Sequence, residues 1–225
     1  MKFDKPYVPP TLTVDGVMFQ LNNNQLEVLL MRRSADPFKG EWALPGGYNA
    51  AGSTTIEALR DIIKRKVGVD IQTQLSYIEQ LYTFDTVARD PRGHAVSVTY
   101  LGCGRDIVSK NGSEDSTFFT VDNLPKLAYD HNSIVKYARD RLSAKLTYTN
   151  AVYGLLESKF TLTQLQTAYE AVFGRELDKR NFRKKFLSLG LIHETTETWR
   201  EGAHRPAKLY EFNSTKLEVL SRSFD

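Results

Sequence analysis

Apolar residues in the first half of the chain recur with the period of β-strands. Residues 11–21 alternate apolar and polar positions, and residues 26–31 form a nearly continuous apolar run after an Asn-rich turn. Residues 75–84 and 95–103 are rich in the β-branched and aromatic side chains that strands favour. A short edge strand is expected at 118–121. The pattern therefore predicts a β-sheet in this half of the protein.

One amphipathic helix interrupts these strands. Ile56, Leu59, Ile63 and Val67 fall at helical spacing on one face, and charged side chains occupy the other. Ser53 precedes this stretch and is the expected N-cap, because its hydroxyl can accept from the free backbone N–H groups of a first helical turn. The pattern predicts a helix with one apolar face and one solvated face.

A second helix is expected at residues 134–146, with Asp130 as its cap and Ile134, Tyr137, Ala138 and Leu142 on its inner face. The helical pattern breaks directly afterwards, at residues 147–150. We therefore expect two domains, at 1–146 and 147–225.

The second domain carries the order of a winged helix-turn-helix. Helices are predicted at 151–156, 161–173 and 178–189, and strands at 191–196 and 207–212. Three short helices followed by a β-hairpin is the element order of winged helix-turn-helix domains. In such domains the last helix of the motif enters the major groove of DNA.

The third of these helices is strongly basic. Five of the seven residues from 179 to 185 are Lys or Arg, and a basic tip joins the two strands. The candidates for DNA contact are Lys179, Arg180, Asn181, Arg183, Lys184, Lys185 and Arg205. Arginine can form two hydrogen bonds to guanine, and asparagine can form two to adenine. We therefore expect Arg180, Asn181 and Arg183 to read bases and the other candidates to contact phosphates. Consecutive charged residues are more often only a solvent-exposed surface, but here they lie on the helix that should enter the major groove of DNA.

Residues 40–69 resemble the Nudix box with its acidic residues replaced. The family's box is a glycine, five residues, a glutamate, seven residues and then Arg-Glu-apolar-x-Glu-Glu-x-Gly-apolar. Laid without gaps from Gly47, it closes correctly on Gly68 and Val69. Its acidic positions are occupied by Ser53, Ile62, Arg65 and Lys66.

These replacements remove the chemistry of a Nudix hydrolase. Its Mg²⁺ requires oxygen ligands and bridges the phosphates of the substrate. Isoleucine offers no ligand, and two cations repel a divalent ion. We therefore expect no resident metal, no cofactor and no hydrolysis, with the scaffold retained for binding.

The candidate effector-binding residues surround this box. Residues 89–93 form a turn with two arginines, whose forked guanidinium groups match phosphate oxygens. Alone, such a turn would read as a solvated hairpin tip. The expected binding residues are Arg33, Arg89 and Arg92 for a diphosphate, Gly46 and Gly47 for close backbone approach, and His131. A histidine in the first turn of a helix is more often structural than ligand-binding.

Composition fits an ordinary globular protein. The 225 residues carry a net charge of +3 and 41% hydrophobic residues. The single Cys103 excludes an internal disulfide and is expected to be buried. No apolar stretch approaches transmembrane length, so we expect a cytoplasmic protein that does not enter the membrane.

Taken in order, several segments resemble the NrtR group of Nudix-related transcriptional regulators. They are residues 40–47, 89–93, 127–131, 160–166, 178–185 and 205–210. The resemblance implies an α+β fold, a Nudix-like α/β/α sandwich with a C-terminal winged helix-turn-helix. It also implies a homodimeric bacterial repressor of NAD-metabolism genes that binds double-stranded operator DNA and responds to ADP-ribose. The alternatives are an active Nudix ADP-ribose pyrophosphatase and an arabinose-type sugar regulator of the same architecture. An interaction adaptor would not need base-reading residue types on the basic helix.

Overall fold

The computed structural model describes residues 7–109, 115–200 and 206–220. Seven strands form one mixed sheet in the first part of the chain: β1 (Thr11–Asn22), β2 (Gln25–Arg32), β3 (Trp42–Ala43), β4 (Gly46–Tyr48), β5 (Tyr77–Phe84), β6 (Ala95–Cys103) and β7 (Ser116–Thr120). The strand order is β3-β2-β1-β6-β5, with β4 paired to β1 and β7 paired to β2. The central pair, β1 and β6, is parallel, and the other pairs are antiparallel.

Two helices cover opposite faces of this sheet: α1 (Thr55–Val67) and α3 (His131–Tyr148), with the short α2 (Ile71–Gln74) following α1. Alternation along β1 separates the two cores, because successive side chains point to opposite faces. Val14 and Met18 pack with α1, whereas Val17 and Phe19 belong to the cluster that includes α3. The expected α/β/α sandwich is confirmed.

The start of α1 differs from the prediction by one residue. Thr54, not Ser53, is the N-cap, and it forms a reciprocal capping box with Glu57. The glutamate decides the choice, because only Thr54 has an acid three residues later. Ile56 is 37% exposed, and Ile62 takes a place on the buried face.

The start of α3 also differs, because it begins at His131 rather than near 134. Asp130 occupies the N-cap position, but its side chain makes no capping hydrogen bond; it binds Arg89 instead. Ile134, Ala138 and Leu142 are buried as predicted, whereas Tyr137 is 39% exposed.

The second part of the chain has the winged-helix order, with one change. Its elements are a 3-10 segment (Ala151–Leu155), α4 (Leu162–Phe173), α5 (Lys179–Ser188), β8 (Ile192–Trp199) and β9 (Ala207–Phe212). The 3-10 segment replaces the first predicted α-helix. Thr161 and Gln164 form the capping box of α4, and the side chain of Asp178 caps α5.

The two parts share a continuous core. Phe160, Leu165 and Phe186 of the second part belong to the same buried cluster as Val17 and Leu101 of the sheet. The two parts also approach closely at Gly154, because a Cβ there would lie 3.1 Å from the Cβ of Cys103. Cys103 itself is fully buried, as expected. The boundary expected between 146 and 147 falls in the last turn of α3 and stays a prediction.

Within the described ranges, none of the helices has the length and apolar character needed to cross a membrane.

Candidate functional site

One cavity gathers all six effector-binding candidates from the sequence. It has a volume of about 660 Å³, which lies in the range of small-molecule sites. Its walls come from the ends of β1 and β2, from β4, from α1 and from the turn before α3. The predicted residues that line it are Arg33, Gly46, Gly47, Arg89, Arg92 and His131. These six residues make different contacts, and the structure therefore supports different roles for them.

Arg89 is a deeply buried cationic residue of the cavity. Its side chain is only 4% exposed, and its guanidinium donates two hydrogen bonds to Asp130, at 2.8 and 3.0 Å. Asp15 lies 3.9 Å away, and Ser97 donates to the Asp15 carboxylate. Arg89 is therefore part of a buried ion pair that ties the 89–93 turn to the start of α3.

Arg92 lies at the cavity rim, with its side chain 43% exposed. Its guanidinium donates to both carboxylate oxygens of Asp90 and to the hydroxyls of Tyr48 (2.7 Å) and Tyr129 (3.2 Å). The hydrogen bond from Arg92 holds the pKa of Asp90 below its usual range. The guanidinium is thereby fixed at the entrance, where an anion can reach it.

Arg33 is held on the same side of the cavity. It donates to the carbonyls of Pro37 (2.7 Å) and Ala35 (3.1 Å), and its guanidinium carbon lies 4.8 Å from the centre of the Tyr129 ring. Both acceptors are neutral carbonyls, so these contacts position the charge of Arg33 without cancelling it.

His131 supports the wall of the cavity. Its Nδ1 accepts the backbone N–H of Leu44 at 2.9 Å, across 87 residues of sequence. Burial lowers the pKa of His131, with the opposing charges of Asp15 and Asp130 nearby, and the accepted hydrogen bond requires an unprotonated Nδ1. The ring is 4% exposed, which fits the structural reading better than ligand contact.

Gly46 and Gly47 have different reasons to lack a side chain. A Cβ on Gly46 would lie 1.9 Å from Oδ1 of Asp15 and 2.5 Å from the Val14 carbonyl oxygen, so β4 could not pair with β1. A Cβ on Gly47 would meet Ile62 at an ordinary 3.4 Å. Gly46 is thus required by strand packing, whereas Gly47 leaves space on the cavity side.

The degenerate box residues form the remaining wall. Ser53, Ile62, Arg65 and Lys66 all line the cavity, together with Asp61. The ammonium of Lys66 donates to the Gly46 carbonyl at 2.6 Å. Among the described residues, no three His, Cys, Asp or Glu side chains are grouped so as to hold a metal ion.

A second candidate surface lies on α5. Lys179, Arg180, Asn181 and Lys184 are exposed on it, while Phe182 and Phe186 anchor its other side in the core. Asp178 accepts from the Asn181 backbone N–H at 2.8 Å, which fixes the start of the helix. The basic residues therefore project from a rigid helix into solvent.

Some of the predicted DNA contacts are already engaged within the protein. Arg183 is half-buried and donates to the Thr163 hydroxyl at 2.9 Å, so one of its nitrogens braces α5 against α4. Lys185 is also half-buried. On the hairpin, a further basic residue, Lys208, forms an ion pair with Glu194 at 2.8 Å. Arg205 lies outside the described residues.

The aromatic residues of the cavity were not among those predicted from the sequence. Tyr129 lies between Arg33 and Arg92 and packs edge-on against Phe38 with ring centres 4.8 Å apart. Its φ of 56° is uncommon for a large side chain and marks a constrained position. Tyr48 flanks the rim and is 57% exposed. No local pattern marks either tyrosine, because their partners are distant in sequence.

The fold and the cavity define a Nudix domain joined to a winged helix, the architecture of a ligand-sensing regulator. A model of the NUDIX domain matches residues 11–138, and one of the NrtR DNA-binding winged helix domain matches residues 152–212. The chain belongs to the NrtR-type family of Nudix-related transcriptional regulators, so the resemblance seen in the sequence is confirmed.

Relatives with known roles support this assignment. The chain is 34% identical over 213 residues, covering 92% of this chain and 83% of the relative, to the ADPR responsive transcriptional repressor NtrR of Acinetobacter baylyi. It superposes with a TM-score of 0.80 on the structure of Shewanella oneidensis NrtR complexed with a 27mer DNA, at 30% identity, covering 95% and 99% of the two chains. The Nudix domain of that protein has been crystallised with ADP-ribose; it matches 60% of this chain and 90% of its own at 32% identity, with a TM-score of 0.54.

An enzyme is also among the relatives. The chain is 35% identical over 132 residues to the ADP-ribose pyrophosphatase of Methanocaldococcus jannaschii, which covers 58% of this chain and 73% of that protein. The match is confined to part of the chain, whereas the two regulators match along nearly all of it.

Proposed function

We propose that this protein is a DNA-binding repressor whose Nudix domain senses ADP-ribose without hydrolysing it. The observation that carries the proposal is the union, in one chain, of a cation-lined cavity and an exposed basic helix. We assign the cavity to a domain at 1–146 and the helix to a domain at 147–225. The regulated genes, by analogy with the family, concern NAD metabolism.

The cavity suits a dinucleotide-like anion. Arg33 and Arg92 stand on one side with their guanidinium groups already oriented, and forked Arg groups match diphosphate oxygens. Tyr129 and Tyr48, each with an arginine guanidinium over its ring, place aromatic side chains at the rim, where a base or nucleoside could pack. A neutral sugar such as arabinose would not need this concentration of cations, and the cavity therefore favours the nucleotide over the sugar.

Hydrolysis is disfavoured by the same wall. A Nudix reaction relies on carboxylates that hold Mg²⁺, and here Ser53, Ile62, Arg65 and Lys66 stand in their places. The sequence match to an ADP-ribose pyrophosphatase supports the ligand class, since a scaffold can retain recognition after losing its metal ligands.

For DNA, we propose that Arg180 and Asn181 read base edges while Lys179 and Lys184 bind phosphates. All four are exposed on α5. Arg183 is assigned to the same surface, with its bond to Thr163 fixing where the helix sits. A symmetric dimer would place two such helices on paired half-sites of double-stranded operator DNA.

The helix α3 offers a physical link between the two sites. At its start, His131 lines the cavity, and Asp130 accepts hydrogen bonds from the lining residue Arg89. Farther along, Arg139 donates to the carbonyls of Ala171 and Val172 at the end of α4, both at 3.0 Å. A ligand that alters the Arg89–Asp130 pair would therefore act on a helix that touches the DNA-binding half.

The test is a fluorescence-anisotropy titration of the full-length protein on a duplex selected in vitro from a random pool. ADP-ribose is expected to change the affinity for this duplex by about fivefold or more, the usual range of allosteric coupling, whereas arabinose leaves it unchanged. The proposal fails if no duplex is enriched, or if saturating ADP-ribose has no effect on the DNA affinity.

A further inference from the structure

One arginine of α3 caps the end of a helix in the winged-helix part of the chain. The guanidinium of Arg139 donates to the carbonyls of Ala171 and Val172 in the last turn of α4, both at 3.0 Å. The last four carbonyls of a helix find no partner within it, so they need donors from elsewhere. A cation at this position also interacts favourably with the negative end of the helix dipole. Arg139 is therefore a C-terminal cap that another part of the chain supplies to α4.

Both sides of this contact are shaped for it. The side chain of Arg139 is 19% exposed, and it also donates to Asp122, in the 3-10 turn Val121–Asn123 that follows β7. On the α4 side, Gly174 ends the helix with a φ of 67°, and a Cβ there would lie 2.7 Å from Nη2 of Arg139. The helix thus ends on a residue that leaves room for the guanidinium, and Asp122 holds the guanidinium in place.

The last turns of α4 are tied to the turn that leads into α5. Glu170 accepts from the Leu177 backbone N–H at 2.8 Å, and Gln166 donates to the Leu177 carbonyl at 2.9 Å. Gln166 also donates to Glu170 at 2.9 Å, so the two side chains hold the turn together. The next helix, α5, begins at Lys179. A shift at the end of α4 would therefore be carried to the helix that we assign to DNA.

The other end of this connection is the effector cavity. Asp130 accepts from Arg89 directly before α3, and His131 in the first turn accepts the Leu44 backbone N–H. Arg139 lies about 12 Å farther along α3, at the rise of an α-helix. A helix of this length moves as a unit, so a displacement at the cavity would reach Arg139 and, through it, α4.

We propose that Arg139 is the positioning residue that couples the two sites: its hydrogen bonds to the end of α4 transmit ligand binding in the cavity to α5. The inference rests on the proposed function, because it takes the cavity to bind ADP-ribose and α5 to bind DNA. Arg139 contacts neither ligand in this arrangement. Its loss should therefore leave ADP-ribose binding intact and remove the effect of ADP-ribose on DNA binding.

The experiment measures the coupling factor, which is the ratio of the Kd for the selected duplex with saturating ADP-ribose to the Kd without it. The wild-type protein is expected to give a factor of about five or more in one direction. Arg139→Met removes the guanidinium and keeps an unbranched side chain, and its factor is expected to lie within about twofold of one. Calorimetry without DNA should give this variant an ADP-ribose Kd within about twofold of the wild type.

Arg141→Met is the matched control. Arg141 lies two residues farther along α3, and its guanidinium pairs with Glu79 of β5 at 3.2 Å. This contact stays within the first part of the chain, so removing it costs an ion pair of the same helix without touching α4. The coupling factor of Arg141→Met is expected to equal that of the wild type.

A second variant keeps the test decisive if a thermal melt shows that Arg139→Met is unfolded. Arg139→Lys keeps the charge but loses the planar fork, and its coupling factor is expected to lie between those of the wild type and one. Wild-type protein whose DNA affinity does not respond to ADP-ribose overturns the proposed function and this inference together. A wild-type response that persists undiminished in a folded Arg139 variant, or that is lost equally in Arg141→Met, overturns the inference alone.

Discussion

The two cationic regions of this protein are built in opposite ways. In the cavity, Arg89 and Arg92 are each held by a carboxylate, and the Arg89 side chain is almost fully buried. On α5, Lys179, Arg180 and Lys184 are exposed to solvent. Fixed, desolvated charge suits one small anion of defined shape, whereas exposed charge suits a long polyanion such as the DNA backbone.

Removing the buried arginine should have the largest effect. Arg89→Met leaves the carboxylates of Asp15 and Asp130 without their cation, and breaking a buried pair in this way costs about 3–5 kcal/mol. We expect the free energy of unfolding, measured by urea titration, to fall by that amount. The control is Arg60→Met on α1, whose ion pair with Asp61 is exposed on both sides and where the expected loss is about 1 kcal/mol or less. Equal losses in the two variants would show that Arg89 is not the buried anchor of the site.

Base reading on α5 should have a smaller, sequence-dependent effect. Arg180→Ala is expected to weaken binding to the selected duplex by about 1–3 kcal/mol and to relax preference at one position. Lys184→Ala should weaken the selected and scrambled duplexes alike. Anisotropy titrations with both duplexes separate the two outcomes. If Arg180→Ala lowers both affinities equally, Arg180 is a phosphate contact.

Salt should separate the two regions further. Each exposed lysine that contacts a phosphate contributes about one unit to the slope of log affinity against log salt, so Lys184→Ala should flatten that slope by about one. ADP-ribose binding in the cavity should respond less, because partly buried charges are screened less than exposed ones. Equal slopes of log affinity against log salt for DNA and for ADP-ribose would contradict the claim that the charges of the cavity are less exposed than those of α5.

The smallest expected effect is a pH dependence from His131. Burial lowers its pKa from the ordinary value of 6.5, so below that pH the unfolded chain takes up a proton that the folded chain resists. Stability therefore falls as the pH drops below 6.5, by up to about 1.4 kcal/mol per pH unit, and the loss levels off below the folded pKa. His131→Gln, which keeps an acceptor for Leu44, should lose this part of the pH dependence in urea titrations from pH 7 to 5. An unchanged profile would show that His131 does not titrate in this range.

Local features of the fold were predictable from the sequence. The strand periods, the Thr161 capping box and the anchoring of α5 by Phe182 and Phe186 each depend on residues a few positions apart. The cap of α1 was wrong by one residue, because Ser53 and Thr54 are both good caps and only the distance to Glu57 separates them.

The internal arrangement of the site was not predictable in the same way. Arg89 reads as part of an exposed turn until its partner Asp130, 41 residues away, is placed beside it. Lys66 contacts Gly46 across 20 residues, so the sequence showed the loss of an acid there but not the new position of a cation. Tyr129 belongs to a segment that carries the family resemblance, yet no periodicity marks its ring as part of the cavity.

The central claim is that the cavity binds ADP-ribose and leaves it intact. Phosphorus NMR of ADP-ribose with the full-length protein and Mg²⁺ tests both halves of that claim in one sample. We expect shifted or broadened diphosphate resonances that persist unchanged over hours, with no new monophosphate signal. Metal-dependent appearance of AMP and ribose 5-phosphate at an enzymatic rate, above roughly 1 per second, would contradict it.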